Sequence, residues 1–225
     1  MNPPKLSPRL MSAAEFVRPM AVVADVGTDH AYLPIYLCKT GKIRSAVASD
    51  INEGPVERAK INIASHSLAK KIAVCHTDGL SGIETYSPTD VVICGMGGEL
   101  IVDIISKAEW TKNRDIRLIL QPMTHAEKLR EYLCESGYLI IDEALAREEK
   151  VYQIICAEYR GERVEYSPME LVFGKQNLER GGDDLRAYAD YVRSVFITRI
   201  RGKQSAGADT AGEETFVSKI DELLK

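Results

Sequence analysis

The sequence lacks the features that mark membrane, disulfide-bonded and metal-binding proteins. No run of about 20 apolar residues occurs, and no long apolar segment stands near the first residues, so we expect neither a membrane span nor a secretion signal. The five cysteines are odd in number and widely spaced, without a Cys-x-x-Cys pair. We therefore expect free thiols in a reducing cytoplasm and no bound metal.

An excess of positive charge is also lacking, and aromatic residues are few. The 225 residues carry a formal net charge of −4, and aromatic residues make up 7%. This balance argues against a general polyanion binder but allows a local basic face. With 45% hydrophobic and 28% charged residues, the composition is that of a packed globular protein with room for one sizeable domain and an appendage.

Apolar runs alternate with helix-like segments through the first 160 residues. A first helix is predicted in "LSPRLMSAAEFV", with Ser7 as its cap and Pro8 at its first position. Five strand-like runs follow, and two more lie close together as in a hairpin. These runs are AVVADVG, SAVASDI, IAVCHTDGL, DVVICGMGG, IRLILQPM, YLIIDEALAREE and VYQIICAEY. The alternation predicts an α/β fold: a doubly wound, mostly parallel seven-stranded sheet with an antiparallel edge hairpin, over residues 1–160.

Residues 161–225 have a different pattern. Helical stretches are interrupted at Gly181-Gly182 and again at "GKQSAGADTAG", and the last one, "ETFVSKIDELL", is amphipathic. The segment is too short for a solid core of its own. We expect a C-terminal helical arm, in the form of an antiparallel coiled-coil hairpin.

Acidic residues and glycines stand where three predicted strands end. Gly27 allows a tight turn and a close approach of a ligand to the backbone. Asp50, 23 residues later, is placed to accept the hydroxyls of a ribose, and Asp78-Gly79 follows the third strand. Because these carboxyl ends share one edge of the sheet, we expect a cofactor there. The predicted cofactor-binding residues are Asp25, Gly27, Asp50, Ile51, Asp78, Gly79, Gly95 and Met96.

The first turn favours a cofactor without phosphates. Sites for nicotinamide dinucleotides usually show Gly-x-Gly-x-x-Gly, whereas the run here is Gly27-Thr28-Asp29-His30-Ala31, in which Asp29 would repel a pyrophosphate. S-adenosylmethionine carries a sulfonium and an ammonium group, which carboxylates such as Asp25 suit. The alternative is that these are ordinary turn residues, because Asp and Gly favour turns.

The ends of the fourth and fifth strands predict a substrate pocket. In "CGMGG" the small residues leave an open, backbone-lined space in which Met96 can lie against a planar base and Gly97 can approach the substrate. The Asn-Pro-Pro-aromatic loop that is common at this position in amino-directed adenine methyltransferases does not occur in this sequence, which argues against methylation of an amino group. Gln121, in "QPM", either hydrogen-bonds a base edge or belongs to a solvated loop.

Six stretches in order resemble one known family. They are LSPRLMSAAEFV, ADVGTDHAYLP, ASDIN, TDGL, VVICGMGGELI and LILQPM, and they resemble the TrmK family of bacterial tRNA (adenine-N1)-methyltransferases. The resemblance implies a class I Rossmann-like methyltransferase that uses S-adenosylmethionine. It also implies a tRNA substrate, methylation of N1 of the adenine at position 22, and a helical tail that helps to hold the RNA.

For that chemistry we expect Asp29 and His30 to be catalytic. Adenine N1 already has a lone pair, so positioning and charge stabilisation matter more than a strong base. Asp29 can accept from the exocyclic amine and balance the cation that forms, while His30 or Tyr32 stacks on the base. The alternatives are that Asp29 caps a helix and that His30 is a structural histidine.

Basic residues at both ends of the chain are candidates for RNA contact. Arg199 and Arg201 are the predicted substrate-binding residues of the tail, within a late cluster that also holds Arg193 and Lys203, and Lys5, Arg9 and Arg18 stand near the first helix. A small-molecule methyltransferase on the same fold and a non-enzymatic RNA-binding protein remain alternative functions. The oligomeric state stays open, and a monomer is compatible with the sequence.

Overall fold

The computed structural model describes residues 2–225 and contains one mixed sheet. Its strands are β1 Val22–Val26, β2 Ser45–Asp50, β3 Ile72–His76, β4 Asp90–Met96, β5 Arg117–Pro122, β6 Tyr138–Arg147 and β7 Val151–Tyr159. They lie in the order β3-β2-β1-β4-β5-β7-β6. The first five are parallel, and β7 pairs antiparallel with both β5 and β6. The predicted seven-stranded α/β fold with an antiparallel edge hairpin is confirmed.

Nine α-helices accompany the sheet in the described residues. They are α1 Pro8–Phe16, α2 Tyr32–Lys39, α3 Glu53–Ser65, α4 Gly98–Ser106, α5 Ala126–Glu135, α6 Pro168–Phe173, α7 Lys175–Arg180, α8 Asp183–Ser205 and α9 Ala211–Leu223. Short 3₁₀ turns lie at Ile83–Tyr86 and Glu109–Lys112. No helix within residues 2–225 is both long and apolar enough to cross a membrane.

Burial in the core explains why the central strands are almost entirely apolar. All five residues of β1 are buried, and so are the first four of β4. Two apolar clusters, one on each face of the sheet, take alternate residues of these strands. A strand covered on both faces takes apolar side chains at nearly every position. The buried exceptions are Asp25 in β1 and Asp90 in β4.

The first helix begins as predicted but is capped differently. Pro8 occupies its first turn and Ser7 has the extended backbone of a cap, yet the Ser7 hydroxyl caps no amide and has no hydrogen-bond partner among residues 2–225. The helix is held by packing instead, because Ala14 and Val17 are buried in the cluster that covers β6 and β7.

The C-terminal helices pack on the sheet edge and on each other. α6 begins with a capping box of Ser167 and Glu170. The helices α8 and α9 run antiparallel, since Arg193 pairs with Asp221 while Lys203 pairs with Glu213. A small apolar cluster around Phe173 and Ile220 joins this hairpin to α6.

Candidate active site at the carboxyl edge of the sheet

The strand order reverses between β1 and β4. β1 connects towards β2, whereas β4 lies on its other side, so the loops after β1 and β4 diverge and leave a crevice. The turn after β1 is tied to β2, because the amides of Gly27 and Thr28 donate to the Ser49 carbonyl at 2.8 and 2.9 Å. Gly27 has φ of +76°, and a Cβ there would lie 2.1 Å from Cε of Met96. The turn after β1 thus contacts the end of β4.

Asp25 is a carboxylate buried at the end of β1. It is 8% exposed and hydrogen-bonds the Thr28 side chain. Burial raises its pKa to about 6, and the bond from Thr28 opposes that rise. A bound cation would compensate this buried charge, so Asp25 is suited to a positively charged ligand.

Asp50 and Ile51 present complementary groups after β2. Oδ1 of Asp50 accepts from the amide and the side chain of Asn52, at 2.7 and 3.1 Å. Its Oδ2 has no hydrogen-bond partner in the described part of the chain. Ile51 is 58% exposed although it is a large apolar residue. One free carboxylate oxygen beside an exposed apolar side chain fits the sugar and base of a nucleoside.

Asp78 and Gly79 line a cleft beside this edge. The cleft has a volume of about 410 Å³ and extends to Asp103 on α4, to Lys107 just after that helix and to Trp110. Gly79 has φ of +54°. Three of the acids predicted at strand ends, Asp25, Asp50 and Asp78, therefore lie along one edge of the sheet.

The loops after β4 and β5 are joined through their backbones. The Met123 amide donates to the Met96 carbonyl at 2.7 Å, and the Gly98 amide donates to the Thr124 carbonyl at 2.8 Å. A Cβ on Gly98 would lie 2.3 Å from the His125 carbonyl oxygen, so only glycine allows this approach. The "CGMGG" stretch is thus a glycine contact between two loops as well as the wall of a crevice.

Gln121 lies inside the protein, fully buried at the end of β5. Its Oε1 accepts from the Gly95 amide at 3.1 Å and from Nη1 of Arg9 at 2.9 Å, while its Nε2 donates to the Pro122 carbonyl at 3.0 Å. These partners occupy the amide that was expected to face a base or solvent. In this arrangement Gln121 holds the Gly95 turn.

Asp29, His30 and Tyr32 form an exposed cluster at the start of α2. The His30 ring stacks on Tyr32 at 5.0 Å between ring centroids, and its Nε2 lies 3.2 Å from Oδ2 of Asp29. Nε of Arg58 donates to Oδ1 of Asp29 at 3.0 Å, and the Asn62 side chain donates to the His30 carbonyl at 3.0 Å. Asp29 makes no cap bond to α2. Arg58 was not predicted from the sequence, because a basic residue on the exposed face of a helix does not by itself indicate a functional role.

The basic residues singled out in the sequence lie in different surroundings. Arg18 binds Asp90 at the amino end of β4, with Nε 2.7 Å from Oδ1, and Arg9 is held by Gln121 and Glu148. In the tail, Arg193 and Lys203 are paired within the helical hairpin. Arg199 lines a groove between the arm and the sheet edge, and Arg201 is exposed beyond it.

Cys94 lies close to Asp25 at this site. Burial raises the pKa of the Cys94 thiol, and the nearby Asp25 charge adds to that effect. All five cysteines are free. Within residues 2–225, no group of three or more His, Cys, Asp and Glu side chains is placed to hold a metal ion.

The fold and the acidic carboxyl edge define a Rossmann-like methyltransferase, and comparisons with known proteins agree. Residues 6–155 match the family model described as "Methyltransferase domain". A curated tRNA (adenine(22)-N(1))-methyltransferase of Bacillus subtilis is 38% identical over 175 residues, which are 77% of this chain and 74% of that protein. The chain belongs to this family of tRNA (adenine(22)-N(1))-methyltransferases, as the sequence motifs predicted.

Two solved structures extend the similarity over the whole chain. A Streptococcus pneumoniae protein assigned to the tRNA (m1A22) methyltransferases, in complex with S-adenosyl-L-methionine, has 31% identity and a TM-score of 0.87, with 98% of this chain and 100% of that chain covered. M. capricolum TrmK in complex with S-adenosyl-homocysteine has 25% identity and a TM-score of 0.82, with 97% of each chain covered. The C-terminal helices therefore belong to the shared architecture.

Proposed function

We propose that this protein transfers a methyl group from S-adenosylmethionine to N1 of the adenine at position 22 of tRNA. The observation that carries the proposal is the carboxyl edge of the sheet, where Asp25 and Asp50 lie in the last residues of β1 and β2 and Asp78 follows β3, beside the β1–β4 crevice. Membership of the family and the cofactor complexes of its relatives support the same function. We also propose that the reaction takes place in the cytoplasm, where tRNA is available.

The residues of the edge fit the cofactor. The buried Asp25 would face the ammonium group of its amino-acid end, Oδ2 of Asp50 would accept from the ribose, and Ile51 would cover the adenine ring. Asp78 and Gly79 would lie at the far side of that ring, while Gly27, Gly95 and Met96 would surround the methyl donor. When bound, the cofactor supplies a methyl group on a positively charged sulfur.

The protein's part in the reaction is to position the base and stabilise charge. Adenine N1 forms a bond to the methyl carbon as the sulfur–carbon bond breaks, so the positive charge moves to the adenine and no proton needs to leave first. We propose that Asp29 accepts from the exocyclic amine and stabilises this cation. His30 or Tyr32 would stack on the base, Gly97 would allow its approach, and Gln121 would fix the Gly95 turn without touching the base.

The tRNA would be held by the arm as well as by the crevice. Arg199 faces the groove beside the sheet edge, and Arg201 extends the positive charge along α8, so both are proposed to meet phosphates. A target base within folded tRNA must be turned out to reach the crevice, at a cost of a few kcal/mol. Contacts with the arm would offset that cost.

The test is transfer of labelled methyl groups to unmodified bacterial tRNA, followed by nucleoside mass spectrometry and mapping of the site. N1-methyladenosine at position 22 is the expected product. The Asp50→Ala variant serves as a cofactor control and should bind S-adenosylmethionine more weakly in calorimetry. Cofactor binding with no labelled tRNA would instead favour a small-molecule methyltransferase, and absence of cofactor binding would favour an RNA-binding protein.

A further inference from the structure

A groove separates the arm from the sheet edge and is distinct from the methyl-transfer crevice. This arm groove has a volume of about 430 Å³, within the usual range of about 300–1,000 Å³ for small-molecule sites. Its walls come from the β5–α5 loop, the β6–β7 turn and α8. The charged and aromatic side chains that line it include Glu127, Lys150, Tyr188, Tyr191, Phe196 and Arg199.

One wall of the arm groove presents an aromatic face to solvent. Tyr191 is 60% exposed, and its ring centroid lies 6.4 Å from that of Tyr188. Tyr188 is fixed, because its hydroxyl accepts from Nε2 of Gln153 at 2.9 Å and its ring packs edge-on against Phe173. An exposed aromatic ring on a rigid support is the feature on which unpaired bases stack in single-stranded RNA sites.

Two cations, Lys150 and Arg199, also line the arm groove. Nζ of Lys150 lies 5.0 Å from the Tyr152 ring, and the guanidinium of Arg199 lies 5.1 Å from the Phe196 ring. Neither cation forms a salt bridge with any residue from 2 to 225. The carboxylate of Glu127, which also lines the groove, lies 3.3 Å from Nδ1 of His125. The arm groove therefore offers two unpaired cations to phosphate groups.

The floor of the arm groove is the loop that also borders the crevice. Met123 and Thr124 line the groove. Their backbone groups also form hydrogen bonds with those of Met96 and Gly98, which border the crevice. A chain of nucleotides could pass over this loop, with one base in the crevice and a neighbouring one in the groove. That path fits a flexible RNA strand.

We propose that the arm groove binds an unpaired nucleotide next to the target adenosine of the same tRNA. Its base stacks on Tyr191, and its phosphates meet Lys150 and Arg199. This inference rests on the proposed function and adds a second nucleotide site to it. The arm would then help to keep the target base turned out, because stacking of the neighbour stabilises the opened strand.

The test combines a protein change with a matching change in the RNA. We expect Tyr191→Ala to raise KM for tRNA about tenfold, as stacking on one aromatic ring typically implies, with kcat and affinity for S-adenosylmethionine unchanged. Tyr191→Phe should restore KM, because the ring is kept. Tyr86→Ala, at another exposed tyrosine on the 3₁₀ turn Ile83–Tyr86, should match the parent. Removing the base beside the target should raise KM for the parent but add nothing in Tyr191→Ala.

The outcomes separate this inference from the proposed function. If the parent methylates tRNA at position 22 but Tyr191→Ala has the parent's KM, the arm groove proposal is overturned and the function stands. The arm groove proposal is likewise overturned if base removal and Tyr191→Ala have independent, multiplying effects. Failure of the parent to methylate tRNA would overturn both. Arg199→Gln should also reduce the salt dependence of tRNA binding, whereas Lys219→Gln, on the exposed face of α9, should not.

Discussion

At the scale of single residues, variants of the ion pair between Asp29 and Arg58 distinguish a catalytic role of Asp29 from a purely structural one. If Asp29 stabilises the methylated adenine, Asp29→Asn should lower kcat about tenfold or more with no change in cofactor affinity. Arg58→Gln should leave kcat close to the parent value, because the carboxylate remains. Single-turnover methylation of tRNA measures both, with calorimetry for S-adenosylmethionine.

A purely structural role for the pair would give a different pattern. Asp29 and Arg58 then only tie the turn between β1 and α2 to α3, so the two variants should show equal defects and the double variant no further loss. Both side chains are about half exposed, and an exposed pair adds little stability. Equal kcat losses with equal melting temperatures would therefore contradict the catalytic role.

Asp25 predicts a pH dependence of cofactor binding. Its pKa of about 6 means that the buried carboxyl is protonated below that pH and cannot stabilise a cation. The ammonium group of the cofactor stays charged from pH 5 to 7, so the change in charge lies on the protein, and the Asp25→Asn variant isolates the part due to Asp25. We expect the Kd for S-adenosylmethionine to fall about tenfold as the pH rises from 5 to 7. Calorimetry across this range should show no such slope for Asp25→Asn.

The sequence predicted some residues of the candidate site better than others, for a physical reason. Asp25, Gly27 and Asp50 follow strands whose ends share one edge, so local patterns were enough to bring them together. Arg58 meets Asp29 from a helix 29 positions further on, which no local pattern indicates. The place of Gln121 was left open because its partner Arg9 comes from the first helix.

At the scale of secondary-structure elements, hydrophobic periodicity and the positions of Gly and Pro predicted the strands and helices. One break in the helical tail was not predicted. The helical tail is interrupted at Gly174, where φ is +85° and a Cβ would lie 2.4 Å from Oε2 of Glu143. The break thus depends on a side chain of β6, more than 30 positions earlier. Predictions from sequence neighbours cannot include such a contact.

The approach of α4 to the β5–α5 loop predicts the effect of one methyl group. In Gly98→Ala the new Cβ would meet backbone atoms of Thr124 and His125, which cannot rotate away. We expect about 1–3 kcal/mol of destabilisation and reduced methyl transfer, because the loops after β4 and β5 must shift. Urea unfolding measures the stability.

Gly202→Ala is the matched control for this helix change. Gly202 lies within α8, and a Cβ there would meet nothing within 4 Å. Alanine should therefore stabilise the helix by up to about 1 kcal/mol. Stability changes of the same sign and size in both variants would contradict the close contact at Gly98.

At the scale of the whole molecule, the arm is joined to the sheet through a buried charge. Arg130 and Glu143 are both fully buried, with Nε and Oε1 2.7 Å apart. Arg130 also donates to Gln153 at 2.6 Å and to the Leu171 carbonyl of α6 at 2.8 Å, and Gln153 donates to Tyr188 of α8. One network thus reaches from α5 through the hairpin to the arm. The boundary predicted near residue 160 separates two regions whose polar groups satisfy each other.

This network predicts that a one-atom change at Glu143 loosens the arm and the sheet edge together. Glu143→Gln leaves the Arg130 guanidinium buried without its counter-charge, which costs about 3–5 kcal/mol in comparable cases and should lower the melting temperature by about 10 °C. Asp142→Asn makes the same chemical change next door, where the pair with Arg180 is about half exposed, and should cost less than about 1 kcal/mol. Thermal unfolding followed by circular dichroism measures both, and protease digestion reports release of residues 161–225.

Because α8 carries Tyr188 and Tyr191, Glu143→Gln should also raise KM for tRNA. Equal small effects of Glu143→Gln and Asp142→Asn would instead mean that the arm is held by its apolar contacts alone.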